Sequence, residues 1–442
     1  MCGYSLRLSA KLIDIFRMFS DSFSPLKTTF TFLLYYWWAF TPFLLFFGAL
    51  DGWLFYIRKK YLLSTRWVLL EIKPPPDVQK SPKIAENIFA GFYGTLKSSK
   101  DWKDKFFRGE VYPWFSFEIV GNGGETNFYI RTPEGLRNFV EAQIFAQYPD
   151  AEIKVADDYV NQLPQYLPND QYDLWGSDMV FTKPNAFPIK THPFFEEESG
   201  KDEFRRTDPL APLAEIMGAL EPGEHMWLQL LIRVTAHNWS KEAQAEVDKL
   251  VGREPKVARS FLGKTVDFID QLLPGSTPAV EEKKRDDFSI MKLTGGQKFV
   301  LDQVEHKIAQ LGFKSNYRFL YIARKDRFHG SHLSSIIGFF RQFYSNNLNG
   351  FKFNKRNVTH VKGLFPWLFP SDKGFFEKSR LFKRKWNIYQ KYRERAFEEQ
   401  VIILNTEELA TLFHLPGIGV KAPAFPRVEA KKGQPPAGLP TG

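Results

Sequence analysis

The chain has 442 residues, a formal net charge of +10 and 16% aromatic residues. Its single cysteine, Cys2, excludes an intramolecular disulfide and a multi-cysteine metal site. The length is enough for two or three domains of ordinary size.

In chain order, Leu8, Leu12, Ile15, Phe16, Phe19 and Phe23 share one helical face, and Arg7, Lys11, Asp14, Arg17 and Asp21 fall elsewhere. Residues 1–27 therefore read as an amphipathic helix, lying in a membrane interface or packing in a homo-oligomer. Thr28–Leu50 is a run of 23 residues without a charged side chain, and Gly52–Ile57 continues it past Asp51 to Arg58-Lys59-Lys60. A bilayer core needs about 20 apolar residues as a helix, so residues 28–57 are predicted to cross as a retained transmembrane helix. The basic residues cluster more tightly after this run than before it. The positive-inside rule then predicts a single-pass protein of the cytoplasmic (inner) membrane with its C-terminal body in the cytoplasm.

The body begins with a predicted strand at Trp67–Lys73 and a helix opened by Ser81-Pro82. Two alternating runs, Trp114–Val120 and Thr126–Arg131, flank the turn Gly121-Asn122-Gly123-Gly124. A helix at Pro133–Tyr148 and a strand at Ala151–Val155 complete a β-α-β-β-α-β order over residues 66–160, the ferredoxin-like arrangement. A second strand–helix alternation follows over residues 172–345, with a mixed, charged insertion near 252–287. Residues 346–420 form a basic aromatic segment with a short helix, and 421–442 a Pro/Gly-rich tail. The predicted fold class is α+β: an N-terminal transmembrane helix, a ferredoxin-like unit and a second, elaborated α+β unit.

Chemistry-bearing motifs are few. Ala258–Thr265 fits a relaxed phosphate-loop pattern but lacks the first glycine and the preceding strand that a phosphate cradle requires. His329 and His332 stand three apart with no third or fourth zinc ligand beside them. Glu196–Glu198 with Asp202 and Glu203 reads as a solvated acidic loop. No catalytic residue, cofactor or metal site is assigned. The anomaly is Gly350–Ala396, with 13 Lys/Arg against 3 Asp/Glu, a net +10 equal to that of the whole chain. Its predicted helix carries Lys378, Arg380, Lys383, Arg384, Lys385, Trp386, Tyr389, Lys391 and Arg393. Cations beside rings suit single-stranded DNA or anionic lipid; the third reading is a solvated helix with its rings turned inward. Thr406, Leu409, Leu412 and Phe413 mark a short amphipathic helix that either docks a partner or packs on the body.

Several phrases carry a resemblance: Val68-Leu-Leu-Glu-Ile-Lys-Pro-Pro, Pro113-Trp-Phe-Ser-Phe-Glu, Glu141-Ala-Gln-Ile-Phe-Ala-Gln-Tyr-Pro-Asp, Asp173-Leu-Trp-Gly, Phe343-Tyr-Ser-Asn-Asn-Leu-Asn-Gly, and Leu404-Asn-Thr-Glu-Glu-Leu-Ala-Thr-Leu-Phe-His-Leu-Pro-Gly. With them the chain resembles a family of bacterial membrane-anchored proteins associated with type IV secretion and conjugation ATPases. Thr406–Pro416 is similar to a phrase preceding the motor core of HerA-like and TraG-like ATPases. The chain departs from those proteins in ending at Gly442, without room for a motor core. The resemblance implies a non-enzymatic structural or docking subunit whose ATPase is a separate chain. The rival expectations are a membrane-tethered nucleic-acid-binding protein and a nucleotide-dependent enzyme using Gly263-Lys264-Thr265.

Overall fold

A computed structural model describes residues 24–75, 81–95, 103–198, 208–235, 239–251, 293–360 and 377–417. The chain divides into two compact units, residues 1–65 with 99–111, and residues 66–98 with 112–442. Most of the predicted amphipathic helix, the insertion, the phosphate-loop-like segment and the tail lie outside the described residues.

The first unit is built on α1 (Ser24–Ser64), a helix of 41 residues. Residues 103–111 fold back on its second half. Trp53 Nε1 donates to the Phe106 carbonyl at 2.9 Å. The return ends at Gly109, where φ is +64° and a Cβ would stand 2.5 Å from the backbone carbonyl of Ile57. The left-handed turn and the close approach together require glycine. Phe43, Leu44, Leu45, Phe46, Phe47, Phe55 and Tyr56 are all exposed.

The predicted architecture needs two corrections. Among the described residues, no helix is long and apolar enough to cross a membrane. Thr41, Pro42, Gly48, Asp51 and Gly52 dilute the apolarity of residues 28–57, and Arg58 closes the run. The second correction is that the β-α-β-β-α-β unit does not stand apart from the unit that follows; a single nine-stranded sheet runs through both.

That sheet is antiparallel at every pairing. Its first half runs β1 (Trp67–Lys73), α2 (Lys83–Phe92), β2 (Phe115–Asn122), β3 (Glu125–Pro133), α3 (Arg137–Gln147) and β4 (Glu152–Val155). The second runs β5 (Tyr172–Phe181), α4 (His192–Glu198), α5 (Ala211–Gly218), β6 (Glu224–Val234), α6 (Trp239–Leu250), α7 (Gly295–Ala309), β7 (Gly312–Arg324), α8 (Gly330–Arg341) and β8 (Phe351–Phe353). The strand order β4-β1-β3-β2-β6-β7-β5-β8 is a mirror sequence. The second half thus repeats the first, with α6 and α7 inserted where β2–β3 has a tight turn. The halves join edge to edge, from Phe115 opposite Ile232 to Asn122 opposite His225. Each half alone would leave a long apolar edge strand open, and a local hydrophobic pattern does not say which edge will cover it. The chain ends with α9 (Glu377–Glu394), β9 (Ile402–Asn405) and α10 (Thr406–Leu412). β9 pairs with Gly312–Ser315 of β7, beyond the reach of β5.

Strand alternation sorts the side chains onto two faces. Phe115, Phe117 and Ile119 of β2, Met226, Leu228 and Leu230 of β6, and Tyr317, Phe319 and Tyr321 of β7 belong to one large core cluster with α2, α3, α5, α8 and α10. The predicted docking helix is part of it. Asn405 and Glu408 form a capping box at its start, Thr406, Leu409, Leu412 and Phe413 are all buried, and Phe413 meets Phe117 and Phe128 edge-on at 5.0 and 5.8 Å. These side chains are core and present no docking face. Replacing Phe413 by Ala should cost about 3–5 kcal/mol in urea unfolding; a loss under about 1 kcal/mol would show that α10 sits loosely on the sheet.

Candidate functional site

The other face of the sheet carries a feature that a strand-by-strand reading misses. Glu118 of β2 lies directly opposite Gln229 of β6. Gln229 lies opposite Arg318 of β7, and Arg318 opposite Asp178 of β5. In the other direction Glu118 faces Tyr129 of β3, and Tyr129 faces Glu71 of β1. One transverse row of polar groups thus crosses the seam between the halves. Glu118, Gln229 and Arg318 are completely buried.

The row is joined by hydrogen bonds. Gln229 Nε2 donates to Glu118 Oε1 at 3.1 Å, and its Oε1 accepts from Arg318 Nη1 at 3.0 Å. Arg318 Nε donates to Asp178 Oδ1 at 2.7 Å. Asn357 closes the far end on Asp178. Glu118, Gln229 and Arg318 each sit alone between large apolar neighbours, in Phe117-Glu118-Ile119, Leu228-Gln229-Leu230 and Tyr317-Arg318-Phe319. That pattern was the available sequence signal: a lone polar residue in a strand buried on both faces needs a cross-strand partner.

Over this row lies α9. Ile388, Tyr389 and Tyr392 are buried against Leu69, Val120, Trp227, Leu320 and Ile322 from four strands. The helix ends in a Schellman motif, with Arg395 N–H donating to Tyr392 O and Ala396 N–H to Lys391 O, both at 3.0 Å. Arg395 holds the left-handed position, φ +50°, where glycine is usual and another residue costs about 1–2 kcal/mol. Its guanidinium explains the choice. Nε and Nη2 grip the two oxygens of Glu118 at 3.0 and 3.1 Å, and Nη2 reaches Asp158 at 2.8 Å. The Tyr159 hydroxyl gives its proton to Glu118 at 2.7 Å, so Tyr392, 2.9 Å away, donates to Tyr159. Burial alone would push the Glu118 carboxyl up, yet the Arg395 charge and the hydrogen bonds from Arg395, Ser116 and Tyr159 hold it below its ordinary value. The C-terminal carbonyls of α9 accept from the row in turn, Lys391 O from Arg318 at 2.9 Å and Tyr392 O from Gln229 at 3.1 Å.

The structure divides the basic aromatic set accordingly. Tyr389 is buried, donating to Pro164 O at 2.8 Å. Lys385 pairs with Asp173 at 2.6 Å, and Lys391 pairs with Glu398. Arg384 donates to Val358 O and His360 O, and Arg393 to Val160 O and Asn161. Arg380 is half-buried. Lys378, Lys383 and Trp386 are exposed, together with Phe382, which the sequence reading did not single out. The rings of His329 and His332 stand 6.2 Å apart, and His332 faces the buried Glu224 at 3.5 Å. Among the described residues no group of three or more His, Cys, Asp or Glu could hold a metal ion.

A second titratable cluster surrounds α10. Lys307 and Glu408 form a fully buried ion pair at 2.9 Å. Glu407 takes hydrogen bonds from Thr191, Gln310 and His306. Glu86 of α2 lies 3.3 Å from His192. Its carboxyl is pushed up to about 7, first by burial and then by the neighbouring Glu407 charge, against the pull of Lys83 and His306.

A family model described as a domain of unknown function, DUF8128, matches residues 61–425. The chain belongs to the DUF8128 family. No curated protein matches it. Among solved structures, the chain is similar to a variant of berberine bridge enzyme in complex with (S)-reticuline, with 8% identity and a TM-score of 0.21. That match covers 76% of this chain, which spans about half the length of that protein, 55%. A likeness of this size bears on neither fold nor activity.

Glu86 gives this DUF8128 chain a testable pH dependence. Between the ordinary 4.5 and about 7, the folded chain holds a proton that the unfolded chain has lost. This contribution is fully present below the unfolded value and is lost as pH rises through about 7. The stability of the parent relative to Glu86→Gln should therefore fall as pH rises from about 5 to about 8 in parallel urea melts. A difference independent of pH would contradict the assignment.

Proposed function

We propose that the chain is a non-catalytic structural or docking subunit that associates with a membrane through α1 and works beside a separate motor ATPase in a translocation machine of the type IV secretion or conjugation kind. The observation that carries the membrane part is the exposure of α1. From Phe43 to Phe47 five consecutive large apolar side chains are exposed, and Trp53, Phe55 and Tyr56 extend the surface one to two turns further. Consecutive residues point around the whole helix, so the surface is apolar on all sides. A partner helix would cover one stripe of it; lipid covers all of it. Soluble proteins rarely leave such a surface open to water. Arg58, Lys59 and Lys60 follow at the end of the stretch, where anionic headgroups attract them. The reading requires entry into the lipid and says nothing of a crossing.

The non-catalytic part is supported by the pairing of buried charged groups with one another. Glu118, Arg395, Asp178, Arg318, Lys307 and Glu408 each face an opposite charge in the fold. The placement beside a translocation ATPase is supported by the phrases around Thr406 and by the others quoted above. It predicts that an ATPase of that kind is recovered when the tagged chain is purified from its native membranes.

The membrane part is tested by flotation. The full chain should rise with phosphatidylcholine–phosphatidylglycerol vesicles in a density gradient. Each large apolar side chain removed from water contributes about 1.5–3 kcal/mol, so Phe43→Ser, Leu45→Ser and Phe47→Ser together should lower lipid partition by about a thousandfold or more. A parent chain that stays at the bottom of the gradient, or a triple variant that floats equally well, would refute the reading.

A further inference from the structure

The exposed side of α9 is a single line of side chains. Lys378, Phe382, Trp386 and Gln390 follow one another at four-residue intervals, so they share one stripe of the helix, and Lys383 stands beside it. Phe382 and Trp386 are 54% and 38% exposed. The helix rise sets them about 6 Å apart along the axis. Gln390 extends the line by holding the neighbouring loop: its Nε2 donates to Gln165 O at 2.8 Å. The next residue of that loop, Tyr166, is 62% exposed. Two rings on the helix and one on the tethered loop therefore lie in sequence, with Lys378 and Lys383 beside them.

We propose that this line is a binding track for single-stranded nucleic acid, the rings stacking on bases and the lysines following the phosphates. The chemistry of both halves is on the surface. Sequence-tolerant stacking needs exposed ring faces held in place, and the backbone needs cations along the same path. The line is rigid because the opposite side of α9 is fixed by the buried Ile388, Tyr389 and Tyr392. It is narrow because its flanking cations are already engaged, Lys385 by Asp173 and Arg384 by the carbonyls of Val358 and His360. A bilayer would meet a broad basic face; one row of rings and cations fits a polymer strand. The carboxylates of the helix, Glu377 and Glu394, stand at its two ends.

The test uses the full chain in detergent micelles and an end-labelled oligothymidylate of about 20 nucleotides, followed by fluorescence anisotropy. Phe382→Ala with Trp386→Ala should weaken binding about tenfold or more at fixed salt. Lys378→Gln with Lys383→Gln should lower the slope of log affinity against log salt by about 1 to 1.5. All four positions lie on the exposed side of α9, and near-ultraviolet circular dichroism checks that each double variant keeps the parent fold. The proposal is overturned if the parent does not bind the oligonucleotide, or if both double variants bind it as the parent does. It is also overturned if the substitutions reduce capture by phosphatidylglycerol vesicles and leave oligonucleotide binding unchanged, because the track would then be a lipid contact.

Discussion

Arg395 combines two costs, a left-handed backbone and a buried positive charge, and the rest of the sheet's second face depends on what it returns. Its guanidinium grips Glu118 from the first half of the sheet, while the turn it forms delivers the carbonyls of Lys391 and Tyr392 to Arg318 and Gln229 of the second half. The end of one helix is thereby bonded to both sides of the seam. A charge of this kind is weak evidence for stability in itself, since well-packed apolar groups can do as well. What it supplies here is registry. A one-residue slip between β2 and β6 would turn Glu118 or Gln229 into the phenylalanine-rich core of the opposite face, away from every partner. The polar row therefore permits one alignment of the two halves.

From that constraint the surface of α9 follows. Because Tyr389 and Tyr392 are drawn down and Arg393, Lys385 and Arg384 are tied to neighbouring loops, the helix cannot rotate to present its whole charge. Only one stripe is left to solvent. The excess of +10 over residues 350–396 is thus partly an internal device for fastening a helix to a sheet and partly an external surface. In α1 the relation is reversed: its apolar side chains from Phe43 to Phe47 are left exposed.

Much of the secondary structure was legible. Trp67–Lys73 coincides with β1, and the hairpin around Gly123 and the helix near 137–147 lie within a few residues of their predicted places. Local periodicity and caps carry that information; Thr294 and Gln297 form a capping box at the start of α7. β5 is not marked by local alternation, because Gly176, Ser177 and Asp178 interrupt the apolar pattern for reasons of the seam. β9 was missed because its four residues are defined by the flank of β7 they fill. The sheet-wide row was unreadable because register between distant strands is not a local property. The exposed line was half legible: composition found the segment, but not which lysines were already engaged. The crossing expected of residues 28–57 has no counterpart among the described residues, where no helix is long and apolar enough to span.

The central claim, that Arg395 holds α9 on the seam, is tested most directly by hydrogen exchange on the full chain and Arg395→Met. The account predicts that amides of Ile388–Glu394 lose protection by about an order of magnitude or more, while those in the middle of β6 and β7 keep theirs, because the sheet ladder remains intact when the clasp is removed. Unchanged protection of α9, or a uniform loss across α9 and the central strands, would contradict it.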